Sequence, residues 1–205
     1  MISFVYFDLG GVVIKDFSGT DKWTEMKKMI GVEKSYEKEF DELYDKYELS
    51  ELCLTRDVDT LIPIFAKKFG MSFPRDFSIL SYFVDHFERN TSIWPVIKKM
   101  HKTCKVGLLT NMYPSMFKAI QKRGLLPPVK WDVLIDSSVV GLQKPDRRIF
   151  TLAEERSLAK HDEILFVDDR KVNIGAAKRF GWQTFLYNPS NHKESILELT
   201  RFLFD

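Results

Sequence analysis

The apolar runs of this chain are short and do not alternate with polar residues. Residues 2–7 form one that stops at Asp8. Residues 106–109 run into Thr110-Asn111, residues 133–135 into Asp136, residues 164–167 into Asp168-Asp169, and a last run covers residues 184–187. Strands buried on both faces of a parallel sheet read this way. Between these runs the period becomes that of an amphipathic helix, over residues 112–123 ending at Gly124, 147–159, and 172–180 ending at Gly181. Glycine just past a periodic run is a helix stop. Strand and helix in alternation predict a doubly wound, three-layer α/β fold on a parallel sheet.

Residues 16–90 interrupt that alternation. Helical patterns cover 20–30, 36–49, 57–69 and 76–87, almost without strand signals. Tyr36, Phe40, Tyr44 and Tyr47 share one helical face, which reads as a packing face. Half of the aromatic side chains lie between Phe17 and Trp94, enough for a small core of their own. The expectation is a helical cap domain, residues 16–90, inserted into a core made of residues 1–15 and 91–205. Trp94-Pro95 marks the return to the core, because proline suits a helix start and restricts the residue before it.

Composition narrows the function classes. Hydrophobic residues make up 44% and charged residues 29%, an ordinary globular balance. Thirty-one basic against 29 acidic side chains leave a net charge of +2, without the clustered basic excess of a nucleic-acid partner. No apolar stretch is long enough to span a membrane, and the first residues lack the features of a signal peptide, so a cytoplasmic protein is expected. Cys53 and Cys104 have no local partner and read as small buried hydrophobes. The four histidines show no metal-ligand spacing. The pattern carries no signature of an oligomeric state.

Ligands of open parallel sheets bind outside the carboxyl ends of the strands. Those ends carry Asp8, Thr110-Asn111 and Asp168-Asp169, and Lys144 lies in the loop Gly141-Leu142-Gln143-Lys144-Pro145-Asp146 before a helix. Each alone could merely cap or end an element. Together they meet one chemical need: oxygen ligands for Mg²⁺, a lysine and a hydroxyl for phosphate oxygens, and a carboxylate free to attack phosphorus. Bacterial receiver domains use similar parts, but place the acidic pair first and the lysine last. A dinucleotide site would need GxGxxG after the first strand; Gly10-Gly11-Val12-Val13 does not supply it.

Asp8-Leu9-Gly10-Gly11-Val12 after an apolar strand resembles the first motif of the haloacid dehalogenase superfamily. Leu108-Leu109-Thr110-Asn111 is similar to its second, and Gln143-Lys144-Pro145-Asp146 to its third. Phe166-Val167-Asp168-Asp169, followed by Asn173-Ile174-Gly175-Ala176-Ala177 and Gly181, is similar to its fourth. The order is the family's, and the helical insertion sits where one class carries its cap. The resemblance implies Asp8 as nucleophile, with Lys144 as its catalytic partner holding Asp8 ionised and neutralising phosphate charge. It implies Mg²⁺ held by Asp8, the Gly10 carbonyl and Asp169, with Asp168 beside them in the outer shell or sharing the ion. Leu9, Gly10, Thr110, Asn111 and Lys144 form the implied substrate-binding set, and Asn173 braces the fourth-motif loop.

One position departs from the pattern. Phosphatases of the superfamily carry a second aspartate, the general acid, two residues after the nucleophile; here that residue is Gly10. Loss of a positioned acid typically costs about 10²–10⁴ in rate, or about 3–5 kcal/mol of barrier. Dehalogenases place a larger, aromatic residue there and use an arginine near the cap junction, where this chain has Lys15-Asp16. Phosphonate-cleaving members need an imine-forming lysine, whereas Lys22, Lys27 and Lys28 read as a solvated helix face. Asp-Leu-Gly is most similar to a branch of sugar-phosphate phosphatases. Asp16 reads as a solvated loop carboxylate, with a substitute acid as the alternative.

The expected function is a Mg²⁺-dependent phosphatase for a small phosphorylated metabolite. With no acid at position 10, a good leaving group, such as that of an anomeric sugar phosphate or an acyl phosphate, is favoured over a plain alkyl ester. The alternatives are a family member that binds a ligand or protein without turnover, and a dehalogenase that needs no Mg²⁺.

Overall fold

The computed structural model describes residues 1–204 of the 205. Its central sheet is built from five strands: β1 (Phe4–Phe7), β4 (Lys105–Thr110), β5 (Val133–Asp136), β6 (Ile164–Asp168) and β7 (Gln183–Leu186). All run parallel, in the order β5-β4-β1-β6-β7. Their side chains divide between two cores. Val5, Phe7, Val106, Leu108, Leu165 and Val167 enter one, while Phe4, Tyr6, Leu109, Ile164 and Phe166 enter the other. Successive side chains of a strand point to opposite faces, and both faces here are covered. That is why the apolar runs do not alternate.

Helices α8 (Arg147–Ser157) and α9 (Lys171–Phe180) close the second core with Ile149, Phe150, Ile174 and Ala177. Arg147 and Lys171 begin them close to the expected starts. Helix α6 (Met116–Lys122) starts four residues later than its pattern suggests, after Ser115 at φ 70°. A single turn, α7 (Ser137–Val140), follows β5. Helix α5 (Trp94–Met100) carries Pro95 in its first turn, and α10 (His192–Phe204) ends the described chain. None of these helices is long and apolar enough to cross a membrane, nor is any other among the described residues.

The interrupting segment is helical: α1 (Lys22–Met29), α2 (Glu37–Tyr47), α3 (Ile62–Phe69) and α4 (Ile79–His86). Of the aromatic stripe, Phe40 and Tyr44 are buried and Tyr36 is exposed. One lysine of α1 departs from the solvated face expected of them, while Lys28 is exposed. Lys27 is buried and paired with Asp41 at 2.8 Å, and the Trp23 indole donates to the same carboxylate at 2.7 Å. Burying an ammonium is tolerable only with such partners.

Two short strands, β2 (Ile14–Lys15) and β3 (Glu88–Arg89), enclose the helical segment and pair antiparallel, Ile14 with Arg89 and Lys15 with Glu88. Lys22 joins them at Glu88, 2.8 Å away. Below the ribbon, fully buried Asn90 donates to the Val12 carbonyl oxygen at 2.7 Å. No hydrophobic run announces this ribbon, because two residues per strand are too few for a periodicity.

Candidate active site

The sheet register fixes the site. Phe7 lies level with Leu108 on one side and Val167 on the other, so the next residues, Asp8, Leu109-Thr110 and Asp168, emerge together at the carboxyl edge of the three central strands. The Asp8 N–H donates to the Val167 carbonyl oxygen at 2.8 Å, prolonging the ladder by one bond. Immediately afterwards the chain turns away. Gly10 is extended at φ −65°, Gly11 is left-handed at φ 70°, and the Ile14 N–H closes the turn on the Leu9 carbonyl oxygen. A Cβ on Gly11 would lie 2.5 Å from Asp169 Oδ2 and 3.2 Å from Ser18 Cβ. Both the backbone and the close approach therefore require glycine at 11.

Lys144 stands between two carboxylates, 2.9 Å from Asp8 Oδ2 and 2.7 Å from Asp168 Oδ2. Burial works to lower its pKa, but Asp168 and Asp8 outweigh burial and hold the ammonium above its ordinary value. Asp168 is wholly buried, and its oxygens accept from Lys144, from the Arg170 N–H at 2.7 Å, and from Asn173 Nδ2 at 3.1 Å. Its lone pairs are committed to holding Lys144 and the loop before α9. Asn173 thereby braces that loop, the role the resemblance implied.

Asp8, Asp168 and Asp169 present ligand atoms within 4.8 Å of one another. Burial pushes the Asp8 carboxyl well above its ordinary value; Lys144 opposes this, while Asp168 and Asp169 reinforce it. Burial, followed by Asp16 and Asp168, pushes Asp169 up to about 6. Carboxylates crowded to this degree call for a further cation, and all-oxygen donors suit a hard divalent one.

Thr110 supplies a second unsatisfied group. Its hydroxyl is fully buried and has no hydrogen-bond partner among the described residues. An orphaned buried hydroxyl costs about 1–3 kcal/mol, and a phosphate oxygen is a partner that would remove that cost. Asn111 is engaged otherwise: its amide bonds the main chain of Lys144 in both directions, at 2.9 and 2.8 Å.

These groups floor a cavity of about 380 Å³ that includes Asp8, Gly10, Thr110, Asn111, Lys144 and Asp169 in its lining. Leu9 and Asp168 are not part of that lining. Leu9 is buried in the core and contributes its N–H to Asp8 Oδ1 at 2.7 Å. The walls are apolar and come mainly from the helical segment and α6, with Trp23, Tyr44, Phe83, Phe87, Tyr113 and Met116. Tyr44 and Tyr113 share a hydrogen bond between hydroxyls, Tyr113 donates to Glu48 at 3.3 Å, and Gln143 donates to the Leu49 carbonyl oxygen at 2.6 Å. The helical segment thus roofs the site and is bonded to its rim. Nothing in the sequence pattern marks Tyr113, Glu48 or Arg170, whose positions depend on how the segment folds back.

Asp16 is the main correction to the sequence reading. It is half-buried, lines the cavity, and is raised in pKa chiefly by burial. It is not a solvated loop carboxylate.

Asp8, a buried lysine and an acidic pair at the edge of a parallel sheet, roofed by an inserted helical segment, form the site of a hydrolase with an α/β fold. The model of the haloacid dehalogenase-like hydrolases matches residues 2–181, and the chain belongs to that family. It is 27% identical over 128 residues to bifunctional epoxide hydrolase 2 of Rattus norvegicus, an alignment covering 59% of this chain and 23% of that one. The chain spans less than a quarter of the length of the curated relatives it matches. Its fold is similar to that of a predicted HAD-like family hydrolase from Porphyromonas gingivalis, with a TM-score of 0.77, 23% identity, and 100% and 99% of the two chains covered. It is also similar to a HAD family enzyme from Bacteroides thetaiotaomicron in complex with magnesium and inorganic phosphate. There the TM-score is 0.71, identity is 19%, and coverage is 91% and 94%.

Proposed function

We propose that this hydrolase is a Mg²⁺-dependent phosphatase acting on a small phosphorylated metabolite through an aspartyl-phosphate on Asp8. The observation that carries the reading is the buried, unpartnered hydroxyl of Thr110 in the same cavity as Asp8 and Lys144, a donor waiting for an anionic oxygen. The relative crystallised with magnesium and inorganic phosphate supports it. Asp8, the Gly10 carbonyl and Asp169 would hold Mg²⁺, with Asp168 behind them; when bound, the ion offsets the carboxylate charge and that of the phosphate.

Lys144 and Thr110 hold the phosphate oxygens, and Asp8 Oδ2, already directed by Lys144, attacks phosphorus. Asp168 and Asn111 keep Lys144 in place. Water then attacks the aspartyl-phosphate, releasing phosphate and restoring Asp8. Residues 16–90 act as the cap over a core of residues 1–15 and 91–205. The cap excludes bulk water and offers the leaving group aromatic walls, which suit the C–H face of a sugar ring.

A binding protein without turnover is the second reading, favoured by Gly10 alone. Released phosphate from an aryl phosphate decides between them. Turnover should vanish in EDTA and return with Mg²⁺, and acid quenching should trap phosphate on Asp8. No Mg²⁺-dependent turnover and no phosphorylated Asp8 would leave the binding reading in possession.

A further inference from the structure

Gly10 is not glycine for the sake of its backbone. Its φ of −65° and ψ of 139° are open to any residue. A side chain is excluded there by Asp16: a Cβ built on Gly10 would collide with Asp16 Oδ2 and lie 3.3 Å from Asp16 Cγ. The carboxyl group of Asp16 fills the volume into which a side chain at position 10 would extend. Two features put it there. The β2–β3 ribbon fixes the main chain just before Asp16, and the Ser18 N–H donates to Asp16 Oδ1 at 2.8 Å, which orients the carboxyl plane. Asp16 and Asp8 line the same cavity, so a leaving group displaced by Asp8 departs into space that Asp16 borders.

We propose that Asp16 is the general acid and base of this enzyme, delivering from the end of β2 the carboxyl group that Gly10 lacks. The inference rests on the phosphatase reading and adds to it the fate of the protons. As Asp8 attacks phosphorus, the bond from phosphorus to the leaving oxygen breaks, and the Asp16 proton passes to that oxygen. The product is a neutral alcohol. The Asp16 carboxylate then takes a proton from water as the water oxygen attacks the aspartyl-phosphate. The bond from phosphorus to Asp8 breaks, phosphate leaves, and Asp16 is again protonated. With an acid in place, plain alkyl esters are substrates as well as esters with good leaving groups.

Asp16→Asn keeps the Ser18 contact and the shape, and removes the proton. With saturating Mg²⁺, it should lose about 100-fold or more on an alkyl phosphate, the scale of a positioned acid. On dinitrophenyl phosphate, which needs no proton, formation of the phosphoenzyme should change less than about tenfold. Phosphorylated Asp8, measured by mass spectrometry after acid quenching, should accumulate because its hydrolysis lacks a base. In a second pair of variants, Gly10→Asp alone should be crowded by Asp16, whereas Gly10→Asp with Asp16→Ala should recover alkyl turnover lost in Asp16→Ala. Equal losses on both esters without phosphoenzyme accumulation, or no loss in Asp16→Asn, would overturn the assignment and leave the phosphatase reading standing. A wild-type protein that neither turns over any ester nor phosphorylates Asp8 would overturn both.

Discussion

Asn111 and Lys144 hold each other through a closed pair of hydrogen bonds, the Asn111 amide donating to the Lys144 carbonyl oxygen at 2.9 Å and accepting from the Lys144 N–H at 2.8 Å. The strand end at Thr110 is thereby locked to the loop that supplies the only cation touching Asp8 among the described residues. Asn111→Asp should preserve one of these bonds and set an oxygen against the carbonyl in the other. Turnover of an aryl phosphate should fall about 10- to 100-fold, as when a residue positioning a ligand is lost, while Asn111→Ala falls similarly. Steady-state rates beside thermal unfolding separate this from a loss of fold; unchanged rates would show that Lys144 needs no such clamp.

Thr110→Val offers a test in which stability and activity move apart. Valine has nearly the same shape and no hydroxyl, so the metal-free and substrate-free protein should gain stability, on the order of 1 kcal/mol, from losing an unpartnered buried donor. Affinity for inorganic phosphate, followed by calorimetry, should drop. A less stable Thr110→Val protein with undiminished phosphate binding would contradict the role given to the hydroxyl.

Asp8→Asn should abolish turnover and leave no phosphorylated residue, without unfolding the chain. Removing one charge from a group in which Asp168 and Asp169 raise the Asp8 pKa relieves repulsion, so its melting midpoint in EDTA should match or exceed that of the wild type. A tenth of the original rate surviving in this variant would remove Asp8 from the role of nucleophile.

Acidity should tell on the metal-free protein in a fixed direction. Asp169 is raised to about 6 by burial, Asp16 and Asp168, above its value in an unfolded chain. The folded state therefore binds the proton more tightly, and stability is gained as pH falls through about 6 toward 4 and lost as it rises again. Two pKa units correspond to roughly 2–3 kcal/mol over the whole span down to pH 4, of which about 1 kcal/mol develops between pH 7.5 and 5.5. Unfolding in EDTA at pH 5.5 and 7.5 measures it: the wild type should be more stable at the lower pH, Asp169→Asn should show a smaller difference, and Mg²⁺ should raise the midpoint more at pH 7.5. Greater stability at pH 7.5 in EDTA, with no narrowing in Asp169→Asn, would contradict the strain assigned to the cluster.

Gly11→Ala should damage the site from outside the reacting groups. The left-handed backbone costs a non-glycine residue about 1–2 kcal/mol, and the new methyl would press on Asp169 Oδ2. A lower melting midpoint should accompany a higher Mg²⁺ requirement for turnover. An unchanged Mg²⁺ requirement would mean that Asp169 does not hold the ion.

Much of the architecture is legible in the order of apolar and polar residues. Five apolar runs became five parallel strands, because a strand buried on both faces leaves a continuous apolar signature, and the acidic, hydroxyl and amide residues ending those runs assembled at one edge. What could not be read depended on contacts made at a distance. Asp16 lies in a polar stretch, Lys15-Asp16 followed by Phe17-Ser18-Gly19, that has the composition of a solvated loop; the ribbon pairing and the Ser18 N–H together turn its carboxyl inward. Lys27 looked like one of several surface lysines on α1, and its burial follows from Asp41 on α2, 2.8 Å away. Asn111 lines the cavity beside Thr110 as expected, but the loop it also holds lies 33 residues farther along the chain.

The ribbon formed by Ile14-Lys15 and Glu88-Arg89 gives the helical segment a single doorway, with exit and entry side by side. Everything between is a detour in the chain, and its length can change without disturbing the order of the sheet strands. The aromatic walls that would choose among substrates hang from that doorway, whereas Asp8, Thr110, Lys144 and Asp169 remain behind it. New preferences can therefore arise by exchanging the part of the detour beyond Ser18, while Asp16 at its threshold and the groups behind it keep their places.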